Sequence, residues 1–356
     1  MRHTRRSVGA AVFGAVTLAG VLALTGTALA CGSLVAPNGA VRLVRTSTLA
    51  AYHDGVEHYV TSFQFAGAPT SFGSIVPLPA RPTNVERAGD WTLQRLEREV
   101  RPPLLEEEAL AAAPSTAGRV EVIQQVRIES LDVTVLKGGG TAVARWAKTN
   151  GFALSADAPG VLRFYARRSP YFMAAKFDAS AAVAQGFRGG DGIPVDLTIP
   201  TSRPWVPLHI LATGKPGSEI VEADVFLLTD HEPTLLHGPG VRIARSEQAP
   251  TQLLADLRSD KNSAWVPQRA WFTYARVEAP ASELTYDLAI DARGHHPRVA
   301  DTGVGSAALG LPGAGRGGGG SWGAWLVVGL GAIAIGVGII ALTGIGRSRS
   351  PGRPTP

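Results

Sequence analysis

The chain has 356 residues with 34 Lys and Arg, 29 Asp and Glu, a formal net charge of +5 and one cysteine. Six of the basic residues, Arg2, Arg5, Arg6, Arg347, Arg349 and Arg353, lie in the two ends, which hold no acid, so the stretch between them carries 28 basic against 29 acidic side chains. A near-neutral body speaks against a nucleic-acid partner, and a lone Cys31 excludes an intramolecular disulfide, so the fold must stand on its apolar core.

Residues 1–30 have a basic start, an uncharged apolar run from Val8 to Leu24 and the small-residue site Ala28-Leu29-Ala30. This is the layout of a secretory signal peptide cleaved between Ala30 and Cys31, and it is excluded from the fold. Arg5-Arg6 is followed by Ser7-Val8 rather than the bulky pair of a twin-arginine signal, which points to general secretion. Cys31 at the first mature position has two readings: an ordinary cleavage that leaves a thiol, or attachment of lipid to the new N-terminus. Ala28 stands where a lipid-attachment motif has Leu, which favours the ordinary cleavage.

From Gly39 the pattern is β. Apolar runs on either side of His53-Asp54-Gly55 predict a hairpin, and Ser71 to Leu78 a third strand cut by prolines. Asp90 is placed to cap a helix from Trp91 to Val100, stopped by Pro102-Pro103, with a further helical stretch over Leu104 to Ala112. Two strands follow, Val120 to Val126 and Ile128 to Leu136. Glycines 138–140 then lead to a helix from Thr141 to Asn150 closed by Gly151. A helix around Val161 to Arg168, a strand Tyr171 to Phe177 and a loop over 185–193 complete the first half. The second half predicts strands at Val195 to Ile199, Leu208 to Ala212, Val221 to Leu228, Trp271 to Val277 and Leu284 to Ile290, with a helix from Thr251 to Leu257.

Residues 293–321 are rich in Gly, Ala, Pro and Ser and read as a flexible stalk. Trp322 to Leu342 is then 21 residues without a charge, followed by the three tail arginines. At about 1.5 Å per residue it reaches roughly 31 Å, the thickness of a hydrocarbon core. The positive-inside rule puts the tail, 344–356, in the cytoplasm and the body outside.

Several stretches taken together, SFGSIVPLPARPTNVE with WTLQRLEREVRPP, ESLDVTVLKGGGTAVARWAKTNGFAL, SPYFMAAKFD, and WVPLHILATG with EADVFLLTD, resemble an uncharacterised family of exported bacterial proteins, domain-of-unknown-function family 2330. The resemblance spans most of residues 32–290, and Trp146, Asn150, Gly151 and Phe152 are its most specific part. It implies a signal-led, often membrane-anchored domain of mixed α and β structure. It implies no activity and no catalytic residues.

Candidate chemistry is sparse. Gly319-Gly320-Ser321-Trp322-Gly323 imitates a nucleophile elbow but sits between a glycine stalk and a span. Gly336-Val337-Gly338 lies inside the span, where no phosphate binds. Lys137 to Thr141 joins a strand to a helix as phosphate loops do, without their full spacing. A loop with Thr141 as helix cap is the better reading. His53 and His58 flank the hairpin turn and read as solvated. His231-Glu232 and His237 are kept off a regular helix by Pro233, and His295-His296 is in the stalk. A metal trio of His209, Asp230 and His231 would need the fold to assemble it. Glu106 to Glu108 reads as a solvated helix face, with weak calcium contact as the alternative.

The sequence thus predicts an α+β, β-rich exported domain over 31–292 with several short helices, a stalk over 293–321, one transmembrane helix over 322–343 and a basic tail. It names no cofactor, no catalytic residue and no metal ligand. The partners expected are the membrane, through the C-terminal helix, and an extracytoplasmic protein or envelope ligand. A binding or scaffolding ectodomain is the leading reading, with an envelope hydrolase as the alternative.

Overall fold

The structure is a computed structural model and describes residues 33–35, 42–66, 72–101, 121–184, 192–293 and 296–310. The signal peptide with Ala30 and Cys31, the 104–112 stretch, the apolar run at 322–343 and the tail lie outside the described residues. Among the described residues no helix is long and apolar enough to cross a membrane.

The first half contains β1 (Ser33–Val35), β2 (Arg42–His53), β3 (Val56–Ala66), β4 (Phe72–Pro77), β5 (Asn84–Arg87), α1 (Trp91–Val100), β6 (Glu121–Ile128), β7 (Leu131–Lys137), α2 (Gly140–Thr149), α3 (Ala158–Ala166), β8 (Tyr171–Phe177) and α4 (Ala179–Ala184). The second half contains β9 (Val195–Pro200), β10 (Trp205–Val206), β11 (Ile220–Thr229), β12 (Thr234–Leu236), β13 (Val241–Gln248), α5 (Thr251–Ser259), β14 (Trp271–Pro280) and β15 (Leu288–Asp291). The fold is β-rich with short helices and mixed sheets, an α+β architecture as the sequence predicts.

Three sheets form, in the orders β1-β4-β8-β7-β6, β10-β15-β12 and β13-β14-β11-β2-β3-β9-β5. In the seven-stranded sheet every pairing is antiparallel except that of β2 with β11, which is parallel. The two-residue period of its strands separates two cores. Ala50, Tyr59, Leu197, Val225 and Leu227 face a large core shared with the five-stranded sheet, α2 and α3. Leu49, Ala51, Val60, Phe226 and Leu228 face a smaller one closed by α1 and α5.

Several local readings change. Asp90 precedes α1 without capping it; its carboxylate accepts from Arg87 at 2.7 Å. The cap comes from Asp260, whose Oδ2 accepts from the amides of Trp91 at 3.0 Å and Thr92 at 2.7 Å. Thr141 does not cap α2, which starts at Gly140 with Gly139 as its cap. Gly140 is needed for close approach: a Cβ there would lie 2.3 Å from the backbone nitrogen of Arg163 in α3. The C-terminal end of α2 is as expected, with Gly151 at a φ of 83° and the rings of Trp146 and Phe152 5.8 Å apart. Strand β13 escapes a hydrophobic pattern because most of its residues are exposed on the sheet edge, where charged side chains discourage further pairing.

Leu208 to Ala212 is not a strand. Its amides are taken by a buried polar cluster, so it forms a 3-10 turn at His209–Ala212. Asp287 Oδ1 accepts from the amides of Leu208 at 2.7 Å and His209 at 3.1 Å, and from Tyr165 Oη at 2.7 Å. Tyr165 Oη in turn accepts from the amide of Ile210 at 2.9 Å. Arg168 pairs with Asp287 Oδ2, donates to the carbonyl of Asp301 at 3.0 Å, and lies 4.2 Å from the ring of Trp205. Through the carbonyl of Asp301 the same cluster also reaches residues beyond 292. Residues 296–310 form 3-10 turns at Val299–Thr302 and Ser306–Leu309, with Thr302 and Leu309 buried, so this part of the predicted stalk packs on the domain.

Two buried carboxylates define how the fold responds to change. Asp287 is fully buried and paired, so Asp287→Ala strands Arg168 and should cost about 3–5 kcal/mol by urea denaturation. A loss below about 1 kcal/mol would contradict a structural role for the Asp287 cluster.

Glu57 is also fully buried, yet neither carboxylate oxygen meets a hydrogen-bond partner among the described residues. Burial pushes its pKa from 4.5 up to about 8. The folded chain therefore holds this proton more tightly than the unfolded chain. Stability is greatest below the unfolded value and falls as pH rises toward 8, by roughly 4–5 kcal/mol over the window. Glu57→Gln should remove most of that slope when denaturation is compared at pH 5 and pH 8.5. Equal slopes for the two proteins would show that Glu57 is not the titrating group.

Candidate functional site

The parallel pairing of β2 with β11 runs in the register Asp224↔Ser47 through Thr229↔Tyr52, so both strands end together in the middle of the sheet, at one of its two strand-end faces. The next residues in each chain direction, His53 and Asp230, are thereby brought side by side although 177 positions separate them. At the same end of the sheet β2 turns into β3 through Asp54 and Gly55, whose φ angles of 49° and 83° are those of a two-residue hairpin turn.

His53 stands between two carboxylates. Its Nδ1 bonds to Asp230 Oδ1, and its Nε2 is 3.4 Å from Asp54 Oδ2. The hydrogen bond to Asp230 is the main influence raising the histidine pKa, opposed by desolvation and helped by the charges of Asp230 and Asp54. The three side chains are solvent-accessible, 47% for His53, 86% for Asp54 and 31% for Asp230, so they are free to meet a ligand.

Beside them opens a cleft of about 430 Å³ lined by Tyr52, Asp54, Gly55, Asp230, His231, Ala292 and Arg293. Arg293 donates from Nη2 to Tyr52 Oη at 2.6 Å, and Tyr52 Oη donates to the carbonyl of Thr201 at 2.9 Å. The guanidinium is held close over the turn: a Cβ on Gly55 would lie 3.2 Å from Arg293 Nη2. The amide of Arg293 donates to Asp291 Oδ1 at 2.8 Å, which fixes the chain as it leaves β15. Desolvation raises the Tyr52 pKa, with Arg293 opposing it. Tyr52 sits opposite Glu57 in the hairpin register, so the unpartnered carboxylate lies in the strand behind this wall.

The sequence trio of His209, Asp230 and His231 is not what assembles. Asp230 and His231 reach the cleft, whereas His209 is partly buried beside Phe164, with ring centroids 4.6 Å apart, next to the Asp287 cluster. Burial lowers its pKa. His53 takes the vacant place in the trio. His58, read as solvated, stacks on Trp265 at 4.0 Å and bonds through Nδ1 to Asp196 Oδ2 at 3.2 Å. His237 bonds only locally among the described residues, through Nδ1 to the carbonyl of Gly238 at 2.9 Å. Glu106 to Glu108, Ser321 and Gly336 to Gly338 lie outside the described residues. The Asp-Gly turn was the available signal for one half of the site. Its meeting with Asp230 depends on a pairing that no local pattern encodes.

No curated protein matches the chain. A solved structure, the crystal structure of baculovirus P35, aligns with 71% of this chain and 97% of its own at 10% identity and a TM-score of 0.40, too low to carry an argument. Residues 25–233 match the family model described as an uncharacterized protein conserved in bacteria, DUF2330. That match covers more than half of the 356 residues and includes β2, β3 and all of β11 with Asp230. The chain belongs to this family of uncharacterised bacterial proteins.

Proposed function

We propose that this chain is a single-pass envelope protein whose exported domain binds a small polar ligand at the His53 cleft and does not turn it over. The signal peptide ending at Ala30, the apolar run at 322–343 and the arginines behind it support the anchored, outward-facing topology. The observation that carries the binding reading is the cleft itself. It is polar and open, and it lies at the joined ends of two parallel strands, where side chains far apart in the sequence converge.

The hydrolase reading draws on the same convergence of His53 with Asp54 and Asp230. Two features weigh against it. Both ring nitrogens of His53 face carboxylates, which leaves neither directed at a substrate proton. The residues lining the cleft include no Ser, Thr or Cys to act as nucleophile.

Protease added to intact cells should remove the domain while an epitope at the C-terminus stays protected, and carbonate should leave the protein in the membrane. Truncation after Ser321 should release it in soluble form. Protection of the domain in intact cells would overturn the topology. Turnover of ester, peptide or glycoside probes by the purified protein, abolished by His53→Ala, would overturn the non-enzymatic reading.

A further inference from the structure

We propose that His53 and Asp54 ligate a divalent transition-metal ion, with Asp230 orienting the histidine. The proposal rests on the binding reading above and names what the cleft takes up. One ligand atom from each of His53, Asp54 and Asp230 lies within 4.8 Å of the others. The spacing of His53 Nε2 from Asp54 Oδ2, 3.4 Å, is long for a direct hydrogen bond. It equals the edge of a tetrahedron with metal bonds of about 2.0–2.1 Å, which is roughly 3.3–3.5 Å.

The other side of the ring is arranged as metal-bound histidines commonly are. Nδ1 is tied to the carboxylate of Asp230, which favours a proton on Nδ1 and leaves the Nε2 lone pair facing Asp54. The two anchors are built into the sheet rather than left to side-chain chance. The parallel register delivers Asp230 to one edge of the imidazole, and the tight turn delivers Asp54 to the other. Because the open cleft adjoins the group, the remaining coordination positions face solvent and can be filled by water or by a ligand.

The donor set selects the ion. One imidazole nitrogen with one carboxylate oxygen suits Zn²⁺, Co²⁺ or Mn²⁺, whereas Ca²⁺ and Mg²⁺ favour sites made of oxygen alone. Two protein ligands at an exposed strand end make an exchangeable site and not a structural one. Binding in the micromolar range or weaker is expected, and the fold should persist without metal.

The test uses full-length protein in detergent, purified without a polyhistidine tag and stripped with chelator, titrated calorimetrically with ZnCl₂ and separately with MgCl₂. One equivalent of Zn²⁺ should bind, with no comparable Mg²⁺ signal. His53→Ala and Asp54→Ala should each weaken the site at least tenfold. Asp230→Asn should weaken it about 10- to 100-fold through the ring orientation. Far-ultraviolet circular dichroism of the metal-free variants should match the parent, which separates a lost ligand from a lost fold. Zn²⁺ binding that is indifferent to His53→Ala, or no binding up to millimolar Zn²⁺, would overturn the proposal. Failure here is distinguishable from failure of the binding reading, which falls if the purified protein, with or without added Zn²⁺, turns over a probe.

Discussion

The parallel contact between β2 and β11 is the constraint on which the rest of the molecule depends. It is the single parallel pairing in a seven-stranded sheet, and it joins a hairpin near the start of the domain to strands that follow it by some 170 residues. An antiparallel partner could have been reached through a short turn, but a parallel one requires a long crossover. Here the long connection includes β4, β6, β7 and β8 of the five-stranded sheet with α2 and α3, which share the main core with the inner face of the larger sheet. The cleft exists because that crossover closes in register: one residue of slip would turn every side chain of β11 to the opposite face.

Polar groups hold the arrangement at places where an apolar core alone would leave choices open. Asp287 gathers two amides, a phenol and a guanidinium, and so fixes α3, the 208–212 turn and the segment after β15 at one point. Asp260 does the same for α1 by capping it from across the smaller core. Both are buried or partly buried carboxylates that accept from several donors at once, the condition under which a charge inside a protein is tolerated. Glu57 breaks that rule. It is fully buried without a hydrogen-bond partner among the described residues, and the physical consequence is a carboxyl that keeps its proton near neutrality.

Much of the fold was legible in the sequence because its signals are local. The Asp54-Gly55 hairpin, the Trp91 to Val100 helix and the Gly151 helix end each follow from residues within a few positions of one another. What escaped is non-local. The amides of 208–212 look like those of a strand until Asp287 and Tyr165 Oη, distant in the chain, accept from them. Glycine 140 looks like loop slack until α3 is seen lying against it. The site shows the same division: His53 was visible beside the Asp54-Gly55 turn and read as solvated, while the partner that gives it meaning, Asp230, was placed with His209 and His231. Only Asp230 and His231 of that trio reach the cleft, because the register of β11 delivers 230 and 231 to this end of the sheet and the Asp287 cluster holds His209 elsewhere.

The most direct test is to trap the strand ends chemically. In a Cys31→Ser background, His53→Cys with Asp230→Cys should form a disulfide under mild oxidant in the native protein, detected as a linked peptide pair by mass spectrometry. The thermal midpoint should be retained or raised. Two thiols that stay free in the folded protein, yet oxidise once it is unfolded, would contradict the parallel register and with it the cleft.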